Sequence, residues 1–406
     1  MRKRVVITGM GVSNSIARSR DEFQLSLREG RSGLKPISPD RFPTDANCYA
    51  NKQACTLDQD LYESLKDEDE TILSRLSMLV MQEALDDAGV DRTQVQSDRV
   101  AFCTATTIGG AYPFIRWTRR RLEGNLTPED FELLFRCSTP TMISKLQRHF
   151  GFRGPISTIS TACTSGTNSV GRAFDMIAHD RIDMALAGGV DVFTELTFSG
   201  FNSLQSLSKN ICKPFDKKRD GLTLGDAAAY LVVESLDSAL ARGARIYAEV
   251  KGYSATNEAY HPTAPKPDGS TAYETMMHAL RQGGVEVEAV EYINAHGTGT
   301  NANDSMEING IRRLVGDRPV FISSTKSMIG HTLGAAGSVE LIATVLGMHH
   351  DFIPPSCNTG EALLTDDDNI VLVRDKGLVR RFDTALSNSF GFGGCMASIV
   401  VQRFVA

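Results

Sequence analysis

The residues of this chain best suited to chemistry are one cysteine, two histidines and a lysine, each set among small residues. Cys163 lies in ISTISTACTSGTNSVGRAFDMIAHD, where a β-branched run precedes it and Val170, Phe174 and Ile177 follow at the spacing of one helical face. That pattern predicts a strand-to-helix turn with Cys163 at its apex. Unpaired backbone N–H groups and partial positive charge at a helix N-terminus favour thiolate over thiol. An ordinary thiol of pKa about 8.5 is only roughly 3% ionised at pH 7, so a nucleophile gains from such a place. The same N–H groups suit an oxyanion. A single buried cysteine more often packs than reacts, so this reading leans on its companions.

Those companions are His296 in NAHGTGT and His331 in STKSMIGHTLGAAGSVE, each ending a strand-like run and each touching glycine, which lets a substrate approach the ring. His149, His179, His261, His278, His349 and His350 lack that setting and read as surface or packing residues. Lys326 stands five residues before His331 and Glu340 nine after it. A partly buried lysine paired to a carboxylate would set the field around a histidine without itself being a nucleophile. In the glycine-rich stretch SNSFGFGGCMASIVV, Phe390 and Phe392 are placed to wall a pocket. The opening VVITGMGVSN imitates a dinucleotide fingerprint after a strand, yet it lacks the third glycine and a well-placed acidic residue.

The elements that must position these groups read as α/β. Runs such as VVIT (5–8), VAFCTA (100–105), MALAGG (184–189), AAYLVVE (228–234), YINAHG (292–297) and FISST (321–325) alternate with segments of helical period, which predicts mainly parallel sheets. LSMLVMQEALDDAGV is an amphipathic helix, whereas ELIATVLGMHH is apolar nearly all round and must lie between layers. A change of character near 244–250 places the boundary between two halves there, 1–248 and 249–406. LYESLKDEDE (61–70) forms an acidic patch, and Arg116, Arg119, Arg120 and Arg121 a basic one, both most simply solvated helix faces.

Composition narrows the function. With 406 residues, 41% hydrophobic and 23% charged, the chain is long enough for a sizeable core and far from a disordered profile. A net charge of −6 argues against nucleic acid as a partner. Eight cysteines without a CxxC pair or a cysteine–histidine cluster describe neither a disulfide scaffold nor a zinc site, so no metal is expected and the thiols are expected reduced. The start MRKRVVITGMGV fails as a signal peptide and no apolar stretch reaches membrane-spanning length, which predicts a cytoplasmic protein with no membrane span.

Taken together, TACTSG around Cys163, NAHGTGT around His296, STKSMIGHTLGAAGSVE around Lys326 and His331, and NSFGFGG near the end resemble a β-ketoacyl-acyl-carrier-protein synthase of the elongating type. The resemblance runs from VVITGMG through KPFDKKRDG to the last strand. It implies a thiolase-like fold of two similar halves in five layers, αβαβα, assembled as a dimer. It also implies that Cys163 takes an acyl chain from the phosphopantetheine arm of an acyl carrier protein, with the N–H groups of Cys163 and Phe392 as oxyanion hole. No permanently bound cofactor is implied. His296 and His331 would hydrogen-bond the carbonyl of a malonyl-carrier thioester, so that the enolate left by departing carbon dioxide attacks the acyl-cysteine. Two neutral donors suit that chemistry, since a carboxylate would repel the developing charge. Lys326 and Glu340 would tune the site near His331, and Thr298 and Thr300 would touch the pantetheine arm. Phe392 would gate the way in, with Ile108 and Phe201 lining an acyl pocket.

Three features depart from the family's fatty-acid members. KDEDE (66–70) stands where basic carrier-docking residues are common, which shifts expected docking to Arg116, Arg119, Arg120 and Arg121 or to Lys209 and Lys213. GDAAA (225–229) replaces GEGAG, and the loop from Leu207 to Phe215 is short, as in enzymes that build polyenes or aryl polyenes by iterative type II synthesis. Fatty-acid elongation is the alternative pathway. A thiolase would place a second cysteine before a glycine run, whereas Cys395 follows GFGG, and a chain-length-setting partner subunit would lack Cys163. The dimer partner is either a second copy or such a nucleophile-free relative.

Overall fold

The computed structural model describes residues 2–41, 49, 51–66, 71–109, 111–136, 138–364 and 368–405. The main sheet has 11 strands. They are β1 (Val5–Asn14), β2 (Val100–Ala105), β3 (Ile156–Ile159), β4 (Met184–Asp191), β5 (Ala227–Ser235), β6 (Ala248–Asn257), β7 (Tyr292–Asn294), β8 (Val320–Ser323), β9 (Ile370–Leu372), β10 (Thr384–Phe390) and β11 (Cys395–Gln402). Across the sheet the order is β9-β8-β7-β10-β11-β6-β1-β5-β4-β2-β3. The order β3-β2-β4-β5-β1 on one side recurs as β8-β7-β10-β11-β6 on the other, with β9 added outside. The pairing senses recur too: β2 is parallel to β3 and β4, while β5 is antiparallel to β4 and β1, and β7, β8, β10, β11 and β6 repeat that scheme. Two similar halves are therefore visible in the topology. They join where β1 and β6 pair through Val5 with Val250, Val6 with Glu249 and Ile7 with Ala248. We propose that the halves divide at 248/249, the first residues of β6.

The expectation of mainly parallel sheets is corrected. Five of the strand pairs in this sheet are parallel and five antiparallel. Apolar runs reveal burial on both faces but not pairing sense, which the connections decide.

Helices α1 (Ile72–Ala88), α2 (Ser165–Ala178), α3 (Ser270–Gly283), α4 (Asn301–Val315) and α5 (Ala336–His349) complete the layers. Both faces of β5 show why five layers form: Leu231 and Val233 point into the central core, Tyr230 and Val232 into an outer one. The central core packs Val170, Phe174 and Ile177 of α2 against Val339, Ile342 and Leu346 of α5. One outer core sets Leu76 and Val80 of α1 against Phe102; the other sets Met276 of α3 and Ile308 and Ile311 of α4 against Ile293. Helix α5 is buried from Ala336 to Met348, as its all-round apolarity requires. The glycines of VVITGMGV serve packing: a Cβ on Gly9 would meet Ala84 O at 2.4 Å, and one on Gly11 would meet Val80 O at 2.2 Å. α1 thus rests directly on the backbone of β1. Gly11→Ala should lower unfolding free energy by about 1–3 kcal/mol, read as a lower urea midpoint at unchanged m-value; an unaltered midpoint would contradict this packing.

Candidate active site

Cys163 follows β3 and precedes α2 at a tight elbow. Ala162 takes φ +51, a left-handed conformation unusual for a residue with a Cβ. The turn closes on itself, since the N–H groups of Thr164 and Ser165 donate to Thr161 O at 3.3 Å and Ala162 O at 3.1 Å. Opposite it, a Cβ on Gly391 would lie 3.2 Å from Cys163 N, so the glycine lets the segment after β10 approach the elbow. The N–H groups of Phe392 and of Cys163 itself then face the sulfur.

The helix start does not ionise this thiol. Burial pushes Cys163 up to about 11, against the opposing pull of Lys326 and the two N–H groups. The expectation of a resting thiolate is corrected: Cys163 is 8% exposed, and two of the N–H groups at the helix start are already engaged within the turn.

Each imidazole is held by a donor at Nδ1. The Leu333 N–H donates to His331 Nδ1 at 3.1 Å, made possible by Leu333 at φ +52. Lys326 Nζ lies 3.1 Å from His296 Nδ1, donates to His296 O at 2.7 Å, and forms a very short ion pair with Glu340. An ammonium has three protons, and these partners use all of them. A ring nitrogen facing a donor must accept, so in each neutral ring the proton sits on Nε2. His331 Nε2 is 3.1 Å from Cys163 Sγ. Burial and the Lys326 charge hold both histidines well below the usual imidazole range, so both stay uncharged. Burial pushes Glu340 up to about 7 while Lys326 pulls it back.

Cys163, His296 and His331 present ligand atoms within 4.8 Å of one another, a spread a zinc ion could span. Their tautomers oppose that use. A histidine bound to metal through Nε2 donates from Nδ1, and here both Nδ1 atoms face donors. The two rings offer N–H groups rather than lone pairs at Nε2.

These three side chains line the inner end of a cavity of about 260 Å³, together with Phe201, Thr298, Thr300, Phe390 and Phe392. The Phe390 ring lies 5.9 Å from that of His296, and Phe392, 36% exposed, sits 5.8 Å from Phe201 at the outer wall.

Two family descriptions match this chain: "Beta-ketoacyl synthase, N-terminal domain" over residues 2–239 and "Beta-ketoacyl synthase, C-terminal domain" over 247–360. The chain belongs to the β-ketoacyl synthase family. A relative in Synechocystis sp., a 3-oxoacyl-[acyl-carrier-protein] synthase 2, is 35% identical, with 99% of each chain covered. Among solved structures, the ishigamide ketosynthase/chain length factor superposes with a TM-score of 0.92 at 32% identity, covering 100% of both chains. The apo complex of a type II polyketide synthase acyl-carrier protein with its ketosynthase, bound to the hexaketide, gives 0.90 at 27% identity, also covering 100% of both.

Within this β-ketoacyl synthase fold, some expected site residues lie elsewhere. Lys326 and Glu340 are 1% exposed and stand behind the cavity: Lys326 bonds His296, Glu340 bonds Lys326, and the Lys326 charge acts on His331 without a hydrogen bond to it. Ile108 does not line the cavity; it packs in a neighbouring apolar cluster with Phe198, Leu222 and Leu333. Arg119 pairs with Glu195 at 2.8 Å and Arg120 with Asp130 at 2.7 Å, whereas Arg116, Arg121 and Lys209 are exposed and Lys213 half-buried. Lys66 pairs with Glu63, and residues 67–70 of the acidic run lie outside the described residues.

Other groups escaped the sequence reading. His261 is exposed, as its sequence neighbourhood suggested, but it also lines the cavity. Glu307 accepts the N–H groups of His296 and Gly297, each at 2.8 Å, and burial pushes it up to about 7. Asp304 accepts those of Phe215 at 2.8 Å and Gly299 at 3.2 Å. Asp304, Glu307, Ile308 and Ile311 share one face of α4, so carboxylates at apolar-face positions were the available signal. With a thiol near 11, alkylation of Cys163 by iodoacetamide, followed by peptide mass mapping, should rise about tenfold per pH unit from pH 7 to 9. A plateau below pH 8 would mean a resting thiolate and contradict this assignment.

Proposed function

We propose that this protein is a 3-oxoacyl-carrier synthase that transfers an acyl chain to Cys163 and condenses it with malonyl-carrier. The observation that carries this reading is the meeting of two neutral imidazoles, each protonated at Nε2, with one sulfur, their ligand atoms within 4.8 Å of one another and all three lining one cavity. The Cys163 sulfur attacks the acyl thioester, the N–H groups of Cys163 and Phe392 hold the oxyanion, and the proton leaves with the departing pantetheine thiol. His296 and His331 then donate to the malonyl thioester carbonyl. The bond to the carboxylate breaks, carbon dioxide leaves, and its electron pair forms an enolate. The enolate carbon attacks the acyl-cysteine and expels Cys163 as a thiolate, giving a 3-oxoacyl thioester, and the thiolate takes a proton from water to restore the resting thiol. Thr298 and Thr300 flank the arm and Phe392 gates it, with the chain running past Phe201 toward Ile108.

The substrates arrive on phosphopantetheine, so the chain itself needs no resident cofactor. Arg116, Arg121, Lys209 and Lys213 are the cations proposed to dock an acidic carrier. A second subunit, either another copy or a chain-length-setting relative, fits the open outer edge of β3 and the exposed Phe114, Phe131 and Phe135. Both fatty-acid and type II polyketide pathways accord with the relatives, and the short loop 207–215 favours polyene synthesis. No helix among the described residues is long and apolar enough to cross a membrane; a cytoplasmic enzyme is proposed on its likeness to carrier-fed relatives.

Incubation with acyl-carrier thioester should add one acyl mass to the protein, and Cys163→Ala should abolish it; an adduct surviving in the variant refutes the nucleophile. His296→Ala and His331→Ala should keep self-acylation but cut carbon dioxide release from malonyl-carrier by about 10²–10³ each, the loss expected for one oxyanion donor. Normal release in both variants would remove the histidines from the decarboxylation step.

A further inference from the structure

On the condensing function proposed above, we infer that Asp191 is a positioning residue that couples occupancy of the apolar cluster at Ile108 to the placement of His331. Asp191 ends β4, is fully buried, and takes donors from both halves of the molecule. From the loop after β2, Thr106 Oγ1 donates at 2.6 Å, Thr107 N at 2.9 Å, Thr107 Oγ1 at 2.6 Å and Ile108 N at 3.2 Å. From the other half, Gly334 N donates to Oδ2 at 2.7 Å. The hydroxyl of Thr106 also accepts the Gly109 N–H at 2.9 Å, so the whole turn 106–109 hangs on one carboxylate. A carboxylate accepts at both oxygens without a proton of its own, which suits a node where every neighbour is a donor.

Gly334 follows Leu333, whose N–H fixes the tautomer of His331. A Cβ on Gly334 would lie 2.7 Å from Asp191 Oδ2 and 2.9 Å from Thr107 N, so the two loops meet backbone to backbone. Their side chains meet as well: Ile108 and Leu333 share an apolar cluster with Phe198, Phe201 and Leu222, and Phe201 and Leu222 also line the cavity that ends at Cys163. An acyl chain on Cys163 long enough to pass Phe201 and Leu222 presses on Ile108. Its loop can yield only by shifting the donors on Asp191, and that shift reaches Gly334 and the ring held beside it. Decarboxylation is thereby favoured when an acyl chain is in place to receive the enolate.

The test is single-turnover carbon dioxide release from malonyl-carrier by the full chain, with Cys163 free or preloaded from a medium-chain acyl-carrier thioester. The ratio of loaded to free rates measures the coupling, a quantity that a purely structural role would not move selectively. It should exceed about fivefold in the wild type and fall toward one in Asp191→Asn, whose amide turns a donor toward the other donors, while Cys163 acylation by intact mass keeps near its wild-type rate. Thr106→Val, which keeps Asp191 and removes only the hydroxyl tie, should lower the ratio in the same direction and decides the matter if Asp191→Asn does not fold. A wild-type ratio of one, ratios unchanged in the folded variants, or equal losses of acylation and decarboxylation would overturn the inference. A wild type that releases no carbon dioxide in either state would instead overturn the condensing function, and the coupling with it.

Discussion

Two hydrogen-bond donors buried behind a pair of imidazoles decide what this site can do. One is the ammonium of Lys326, the other the backbone N–H of Leu333. Each points at an Nδ1 atom and so sends the ring's proton to Nε2, toward the cavity. Much of the surrounding structure serves that arrangement. Glu340 holds the ammonium in place, Leu333 accepts a left-handed backbone conformation, and Glu307 holds the His296 and Gly297 backbone. A buried lysine–carboxylate pair adds little net stability and is costly to break. Its value here is directional, since it keeps a positive charge against His296 that adds to burial in keeping that ring neutral.

The cysteine is built on the opposite principle. Its elbow brings the sulfur within 3.1 Å of His331 and beneath the Phe392 N–H, yet burial leaves it protonated at rest. On the function proposed, the geometry is preorganised while the charge is withheld until a thioester arrives to take the proton with its leaving group. On the function proposed, the burial of both rings also strengthens their Nε2–H groups as donors to an enolate, because surroundings less polar than bulk water screen the developing charge less.

Much of this was legible in the sequence, and the misses share a physical cause. The turn at Cys163, the helix buried from Ala336 to Met348 and the glycine-flanked histidines all follow from local pattern, since periodicity and small residues report directly on local conformation. Contacts between distant segments do not. Lys326 is five residues from His331 in sequence, yet the chain folds its ammonium back onto His296, 30 residues away. Ile108 reaches the cavity through an apolar cluster it shares with Phe201 and Leu222 rather than lining it directly. Pairing sense in the sheet, and the victory of burial over the helix terminus at Cys163, likewise depend on how layers assemble rather than on any one segment.

The central claim, that both rings are neutral with the proton on Nε2, is open to direct measurement by ¹⁵N nuclear magnetic resonance of the histidine side chains between pH 6 and 8. The structure predicts that His296 and His331 each show a protonated Nε2 and an unprotonated, hydrogen-bonded Nδ1 throughout that range, with no titration. A signal from either ring showing a proton on Nδ1, or a charged ring at neutral pH, would contradict it.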